Sequence, residues 1–566
     1  MTVYYYRIGY PISYPLPLVK SPEMNALPVG IQGITYPWYT WLGWALEERW
    51  RRLHAAWRHF GDVEAGALLQ GELAALEGWD QYCEVKGHVS LSTAHISACL
   101  SRALPLKDGW DEEKYGRARA AAEKIIEREA WPWFQREWPE GETLAAEDLH
   151  NIRVIGLTRC AQLARVIASP RAEAMETRTR EALRAWYRLR PAGSRYTEGS
   201  AYDGFLLDSL TEWLSGLPDR EALLNEGRES LSRLAGQWIR LALPGRVDVQ
   251  TPLGDVEPEM PFWATVLQRF GMWGVSPGAG WLARRLPVQP LPAAFLTDAI
   301  ENINLFKDGV RPPESGPSEL PHALSLRTGW DGPDILAAVG LTRSEPGHLH
   351  NDAGQVVLGW RGRFWITDPG YQQYRPGIER DFSMGKEAHN IPVIAGKAQT
   401  RRAPKLLSLG KEPDGTQRAV IDLTECYEGL PRGAYVEREV RLLPAGGVRA
   451  SDRAVIVRDR LTGVGGGTEV QTSWLAGTHL AWAFKDGWAR LSDGERALWI
   501  GVFPGGHAAA GLDRHEGSRG PLTLKHSAVL PDGRGDRFWA FVCDEAGGWE
   551  PPAGRFEAVI GDWDKR

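Results

Sequence analysis

Three histidines and several carboxylates crowd one stretch of this chain: His348-Leu349-His350-Asn351-Asp352, then Thr367-Asp368-Pro369-Gly370, then Ala388-His389-Asn390. Neutral imidazole and carboxylate are the ligand types that suit a borderline divalent cation such as zinc. The familiar zinc spacings are absent, with no His-Glu-x-x-His and no Cys-x-x-Cys pair. The reach between the first two segments reads as a β-hairpin: Gln355-Val356-Val357-Leu358, a turn at Arg361-Gly362, then Phe364-Trp365-Ile366. A straight register leaves His350 and Asp368 offset, so a bulge or bend has to close the gap. The competing reading, that two of these histidines are ordinary polar residues on a sheet, suits any one of them better than the whole constellation.

Elements of two kinds must carry these residues. In the first half, Leu46, Trp50, Leu53, Trp57 and Phe60 recur at steps of four and three, one face of an amphipathic helix over 43–60. Leu224, Leu231, Leu234, Trp238 and Leu241 repeat the pattern over 220–243. Further helical stretches fall near 112–131, 152–168, 173–190 and 204–214, punctuated by Pro and Gly. Many helices without interleaved strands indicate a bundle, solenoid or toroid. Arg311-Pro312-Pro313-Glu314-Ser315-Gly316-Pro317 marks a boundary, giving domains of 1–312 and 313–566. Beyond it come short β-branched and aromatic runs at 418–423, 435–443, 454–461, 469–475, 497–503 and 537–543, the mark of an antiparallel sandwich.

Composition sets outer limits. A net charge of −6 argues against bulk binding of nucleic acid or any other polyanion, so an acidic ligand would need local basic residues. Arg375, Arg380, Arg401, Arg402 and Lys405 supply such a cluster near the histidine segment, although each also suits a solvated face. The 26 tryptophans are read mainly as packing, with sugar stacking the functional alternative. Five widely spaced cysteines do not make a disulfide framework. No run approaches a membrane span, and the first residues lack the plan of a signal peptide. A cytoplasmic protein is the simplest expectation, with a secreted or periplasmic one following if a signal has been trimmed; a homodimer is allowed.

The run from Gly347 to Gln399, with Gly-His-Leu-His-Asn-Asp, Asp-Pro-Gly, the Arg380-Asp381 approach and Ala-His-Asn followed by Ala395-Gly396, resembles the heparinase II/III-like polysaccharide lyases. The resemblance implies an α+β multidomain fold, an N-terminal (α/α) toroid followed by a C-terminal antiparallel β-sandwich. It implies one metal, usually zinc and structural here, on His350, Asp368 and His389, with His348 as an active-site histidine. Glu198-Gly199-Ser200-Ala201-Tyr202 resembles the stretch that carries the family's catalytic tyrosine, which makes Tyr202 the acid/base and Tyr196 its competitor. Tyr202 also reads as a packing tyrosine at a helix start, where Ser200 would make a fair N-cap. His150-Asn151 falls where the family places an Asn, often beside a His, to contact the substrate carboxylate. The order here is reversed relative to alginate-type members, and Asn151 also suits a plain N-cap. His95, Arg380, Arg402 and Tyr427 complete the substrate-binding candidates. Arg438 could reach the cleft, and Gly254-Asp255 resembles a family loop of uncertain role.

The function implied is cleavage of a uronic-acid-containing oligo- or polysaccharide by β-elimination, leaving a C4=C5 unsaturated uronate. Such a reaction needs a partner for the carboxylate, a base for the C5 proton and an acid for the leaving O4 oxygen. The alternatives are a metal-dependent glycan hydrolase, with Asp352 as general acid, and a non-catalytic glycan-binding protein.

Overall fold

The computed structural model describes residues 2–5, 12–15, 38–83, 85–191, 193–194, 196–256, 262–286, 293–301, 311–341, 348–370, 378–446, 453–477, 480–503, 511–513, 523–552 and 563. The chain forms two compact units. The first holds Met1–Ser194, Ser200–Ala235 and Met260–Arg311; the second holds Arg195–Gly199, Gly236–Glu259 and Pro312–Arg566. The Pro-rich boundary near 312 is where the chain passes finally into the second unit. Two earlier segments, 195–199 and 236–259, also belong there, although nothing in their residue pattern separates them from the helices around them.

The first unit is an (α/α) toroid. Its helices are α1 Trp38–Phe60, α2 Val63–Ala75, α3 Leu91–Ala103, α4 Glu112–Ile125, α5 Trp131–Glu137 and α6 Asn151–Val166. They continue as α7 Ala172–Arg188, α8 Ser200–Ser215, α9 Arg220–Arg240, α10 Phe262–Met272, α11 Pro277–Ala283 and α12 Ala293–Glu301. Six of them close a ring: α1 packs on α3, α3 on α6, α6 on α8, α8 on α10, α10 on α12, and α12 returns to α1. The intervening α2, α7 and α11 pack behind α1, α6 and α10. Local chemistry sets several starts, with Asp62, Ser90 and Asp111 each accepting a backbone N–H of the first turn.

Helix α1 shows what ring membership does to a pattern. Leu46 and Trp50 are buried as the periodicity predicts, yet Phe60 is 74% exposed while Glu47, Arg51 and His54 on the other side are buried. A ring helix is enclosed on both sides, so its polar face is shielded as well. Most of the large tryptophans pack the interior, among them Trp79, Trp133, Trp186, Trp213 and Trp238.

The second unit is an antiparallel β-sandwich. Every strand pairing among its described residues is antiparallel, and two large sheets share one apolar core. Leu326, Val339, Trp365 and Trp474 enter it from one sheet, and Val440, Val457, Ile500 and Phe541 from the other. Trp474 meets Phe541 edge-on with ring centroids 4.7 Å apart. The predicted hairpin is Val356–Trp360 with Arg363–Thr367. Arg361 and Gly362 both have positive φ, 55° and 70°, the backbone that a tight two-residue hairpin turn requires. The register shifts between Leu358 and Gly359, but in the direction that carries Asp368 one position further from His350. The chain turns before the first strand instead, where the Gln355 N–H binds the Asp352 carbonyl at 2.8 Å.

Candidate functional site

His350, Asp368 and His389 come together in the second unit. One ligand atom from each lies within 4.8 Å of the others, and all three residues are buried. The Asp368 carboxylate accepts the Gly370 N–H at 2.9 Å and meets Nδ1 of His389 at 2.8 Å. Nδ1 of His350 and Nε2 of His389 have no hydrogen-bond partner, although both are shut off from solvent. A buried polar atom left unpaired costs about 1–3 kcal/mol, and two in one cluster call for something that accepts lone pairs. Asp255, Asp368 and Asp352 add negative potential at His350. Two imidazole lone pairs, a carboxylate and an anionic surround fit a divalent cation of the zinc type.

The segments that carry these ligands are tied together by polar side chains. Gln355 accepts the Asn390 N–H at 2.6 Å and donates to the Thr367 carbonyl at 3.3 Å, so it joins the neighbours of His389 and Asp368. The Asn390 amide pairs with both backbone groups of Val356, as a strand would. Arg438, expected as a cleft residue, is instead fully buried. It donates to the carbonyls of Gly354 and Asn390 at 2.8 Å each, and grips Asp459 at 2.7 and 2.8 Å. Burial of an arginine is tolerated here because every face of its guanidinium has an acceptor.

Asp255 is the residue whose role the sequence did not reveal. Its carboxylate meets Nδ1 of His348 at 3.1 Å through one oxygen and Nε2 of His350 at 2.9 Å through the other. Burial pushes its carboxyl up, but the hydrogen bonds and charge of the two imidazoles outweigh burial and hold it well below the usual carboxylate range. The preceding Gly254 has φ +73°, and a Cβ there would lie 2.6 Å from the His348 carbonyl, which itself accepts the Asp255 N–H at 2.8 Å. Only glycine permits that approach. A Gly-Asp pair was therefore the available signal, without a partner to give it meaning. His348 keeps 22% of its side chain exposed, and the buried Glu198 carboxylate lies 3.9 Å from its Nε2.

The remaining sequence candidates scatter. In the toroid, His150 takes the N-cap position of α6 and makes no side-chain cap bond; Asn151 is the first helical residue and is buried, so the plain N-cap reading of Asn151 does not hold. Ser200 opens α8 as its first residue, two before the buried Tyr202. His95 is buried on α3; its Nδ1 meets Glu47, and its ring lies 5.6 Å from that of Trp44 and 6.1 Å from that of Phe205. In the sandwich, Tyr427 is buried, donating its hydroxyl to the Pro392 carbonyl and accepting from Gln399. It braces the segment after His389. Arg402 is exposed. The side chain of Arg380, on the short helix Ile378–Ser383, and the whole of Arg375 lie outside the described residues.

Further along α6 and α8 from Asn151 and Tyr202 lies a buried network of charge that the sequence pattern did not reveal. Glu212 on α8 binds Arg51 of α1 and Arg159 of α6, and Arg51 also binds Glu47 at 2.6 Å. Arg269 of α10 binds Asp298 of α12 at 2.6 Å and Asp208 at 3.2 Å. With His95 on α3, each of the six ring helices contributes a member.

Residues 336–539 match the family described as heparinase II/III-like, C-terminal. No curated protein matches the chain by sequence. Among solved structures, heparinase III superposes with a TM-score of 0.62 at 13% identity, covering 90% of this chain and 78% of that one. The BT4657 gene product, also a heparinase III, gives 0.60 at 10% identity, covering 89% and 79%. Heparan sulfate lyase HepC from Pedobacter heparinus gives 0.55 at 11% identity, covering 90% and 77%. At such identities the likeness is one of fold.

Proposed function

We propose that this protein is a polysaccharide lyase, a reading supported by the match of residues 336–539 to the heparinase II/III-like C-terminal family. It cleaves a uronic-acid-containing glycan by β-elimination. The observation that carries the reading is the buried His350, Asp368 and His389 group, joined through Asp255 to the part-exposed His348 within that domain. The resemblance to heparinase III and heparan sulfate lyase supports an acidic glycan as the substrate class.

In the proposed reaction, the amide of Asn151, at the first turn of α6, donates to the substrate carboxylate, with His150 beside it. The N-terminus of a helix adds favourable positive potential there. Neutralising the carboxylate acidifies the C5 proton. Tyr202 removes that proton as phenolate and returns one to the leaving O4 oxygen, and electrons from the C5–H bond form the C4=C5 double bond as the C4–O4 bond breaks. A free phenol has a pKa of about 10, so the phenolate needs donors or positive charge nearby. His348 is the assisting imidazole. A zinc ion on His350, Asp368 and His389 would act as a structural tie among three segments.

Elimination is tested on alginate, hyaluronan, heparosan and glucuronan by following ultraviolet absorbance of the conjugated product. Reducing the substrate carboxylate to an alcohol should stop cleavage, since C5 then has no electron sink. Cleavage without a chromophore, with oxygen from labelled water at the new reducing end, would show a hydrolase. Binding without turnover, unchanged in Tyr202→Phe, would show a lectin.

A further inference from the structure

Asp255 touches two histidines by different nitrogens, and the chemistry of a carboxylate restricts what each can be. An ionised carboxylate only accepts hydrogen bonds. A neutral imidazole carries one N–H and one lone pair, and the partner of one nitrogen decides the state of the other. The contacts run from Nδ1 of His348 and from Nε2 of His350, each to its own oxygen of Asp255. Both nitrogens are therefore N–H donors. When each ring is neutral, the lone pairs then fall on Nε2 of His348 and Nδ1 of His350. Nδ1 of His350 is the buried atom with no hydrogen-bond partner, in the group with Asp368 and His389. Nε2 of His348 belongs to a side chain that keeps 22% exposure.

We infer that Asp255 is a positioning residue with two outputs: one carboxylate sets the tautomer of His350 for holding a metal and of His348 for accepting a proton. The placement of Asp255 is itself constrained. Its backbone N–H binds the His348 carbonyl at 2.8 Å, and Gly254 makes that approach sterically open. Orientation and tautomer are thus fixed by one short segment, and the two histidines, two residues apart, present lone pairs to different surroundings. The inference rests on the metal and lyase readings above for what the two lone pairs do. The tautomers themselves follow from the hydrogen bonds.

Asp255→Asn separates the alternatives because an amide has one acceptor oxygen and one donor nitrogen. It can satisfy one imidazole N–H; the other ring must turn a lone pair toward the amide and move its proton to the far nitrogen. If His350 yields, Nδ1 is blocked and zinc affinity, read by chelator competition, should fall about ten- to hundredfold. If His348 yields, zinc affinity should hold while kcat at saturating zinc falls tenfold or more with KM little changed. Unchanged zinc affinity together with unchanged kcat in the folded variant overturns the inference. Should the variant not fold, nitrogen-15 NMR of the zinc-free wild-type protein decides: protonated Nδ1 on His348 and protonated Nε2 on His350 are expected, and either opposite tautomer defeats it. A wild-type protein that takes up no zinc and cleaves none of the four glycans defeats the functional reading, while the NMR result still judges the tautomers.

Discussion

The toroid and the sandwich each bury a polar cluster, and the two clusters are satisfied differently. In the toroid, Arg51, Arg159 and Arg269 face Glu47, Glu212, Asp208 and Asp298, so cations and carboxylates largely answer one another. In the sandwich, the carboxylate Asp368 and two imidazoles converge, and one nitrogen on each imidazole is left without a partner. Buried ion pairs roughly break even against desolvation, and they give a ring of helices one preferred arrangement at little net gain. Buried lone pairs with nothing to accept them are costly until an ion arrives. The first cluster thus answers charge with charge inside the protein, although Nη1 of Arg51 and Nε2 of His95 lack a hydrogen-bond partner, while the second turns two imidazole nitrogens and a carboxylate toward one another and calls for a cation.

The comparison breaks most visibly where a single charge is removed from the complete cluster. Glu212→Gln leaves the buried Arg51 and Arg159 short of a counter-charge, and a loss of about 3–5 kcal/mol in unfolding free energy is expected by denaturant titration. A change under about 1 kcal/mol would mean the network is replaceable. The incomplete cluster should respond to metal. Zinc at a thousandfold excess over its Kd should stabilise the protein by about 4 kcal/mol, and a chelator should remove that increment. His389→Ala should abolish the zinc response and also leave the chelated variant less stable than chelated wild type, because it opens a cavity and removes the Nδ1 partner of the buried Asp368 carboxylate. A chelator without effect on thermal unfolding would leave the sandwich cluster as mere polar packing.

Chemistry should divide from bracing in the toroid. Tyr202→Phe keeps the ring and removes the hydroxyl, so turnover should fall about a hundredfold or more while oligosaccharide binding persists. Retention of more than about a tenth of the rate would move the assignment to Tyr196. The smallest effect expected is acidic. Burial pushes the Glu212 carboxyl up, but Arg159, Arg51, Arg102 and Arg269 outweigh burial and hold it well below the ordinary value of 4.5. Its folded-state pKa is depressed, so its contribution is present above that value and is lost as pH falls through the folded pKa. Helical circular dichroism should show wild-type stability declining below about pH 4.5, with a shallower decline in Glu212→Gln.

Periodicity and turn chemistry already divided the chain into helices and strands. The helix over 173–190 and the strand over 497–503 lie at Ala172–Arg188 and Ala497–Phe503, because apolar spacing and Gly/Pro punctuation are local properties. The metal candidates were legible for a related reason. Imidazole and carboxylate have few other reasons to cluster around one hairpin, and that hairpin lies at Val356–Trp360 and Arg363–Thr367 as its turn residues predict.

Partners distant in sequence were not legible. Asp255 precedes His348 by more than ninety positions (93) and looks like a loop aspartate until folding brings its two oxygens to two histidines. Arg438 carried the residue type of a sugar cleft, yet it is a buried brace for the segments at Gly354 and Asn390. The polar face of α1 reads as solvated, and the closed ring of helices buried it. The sequence by itself determined which segments are helix or strand and which side chains could ligate a cation, since spacing and donor chemistry travel with the chain. Tertiary structure alone decided which polar groups are paired, which are left open and which carboxylate orients His348, because hydrogen bonds between distant segments exist only once packing has fixed both ends.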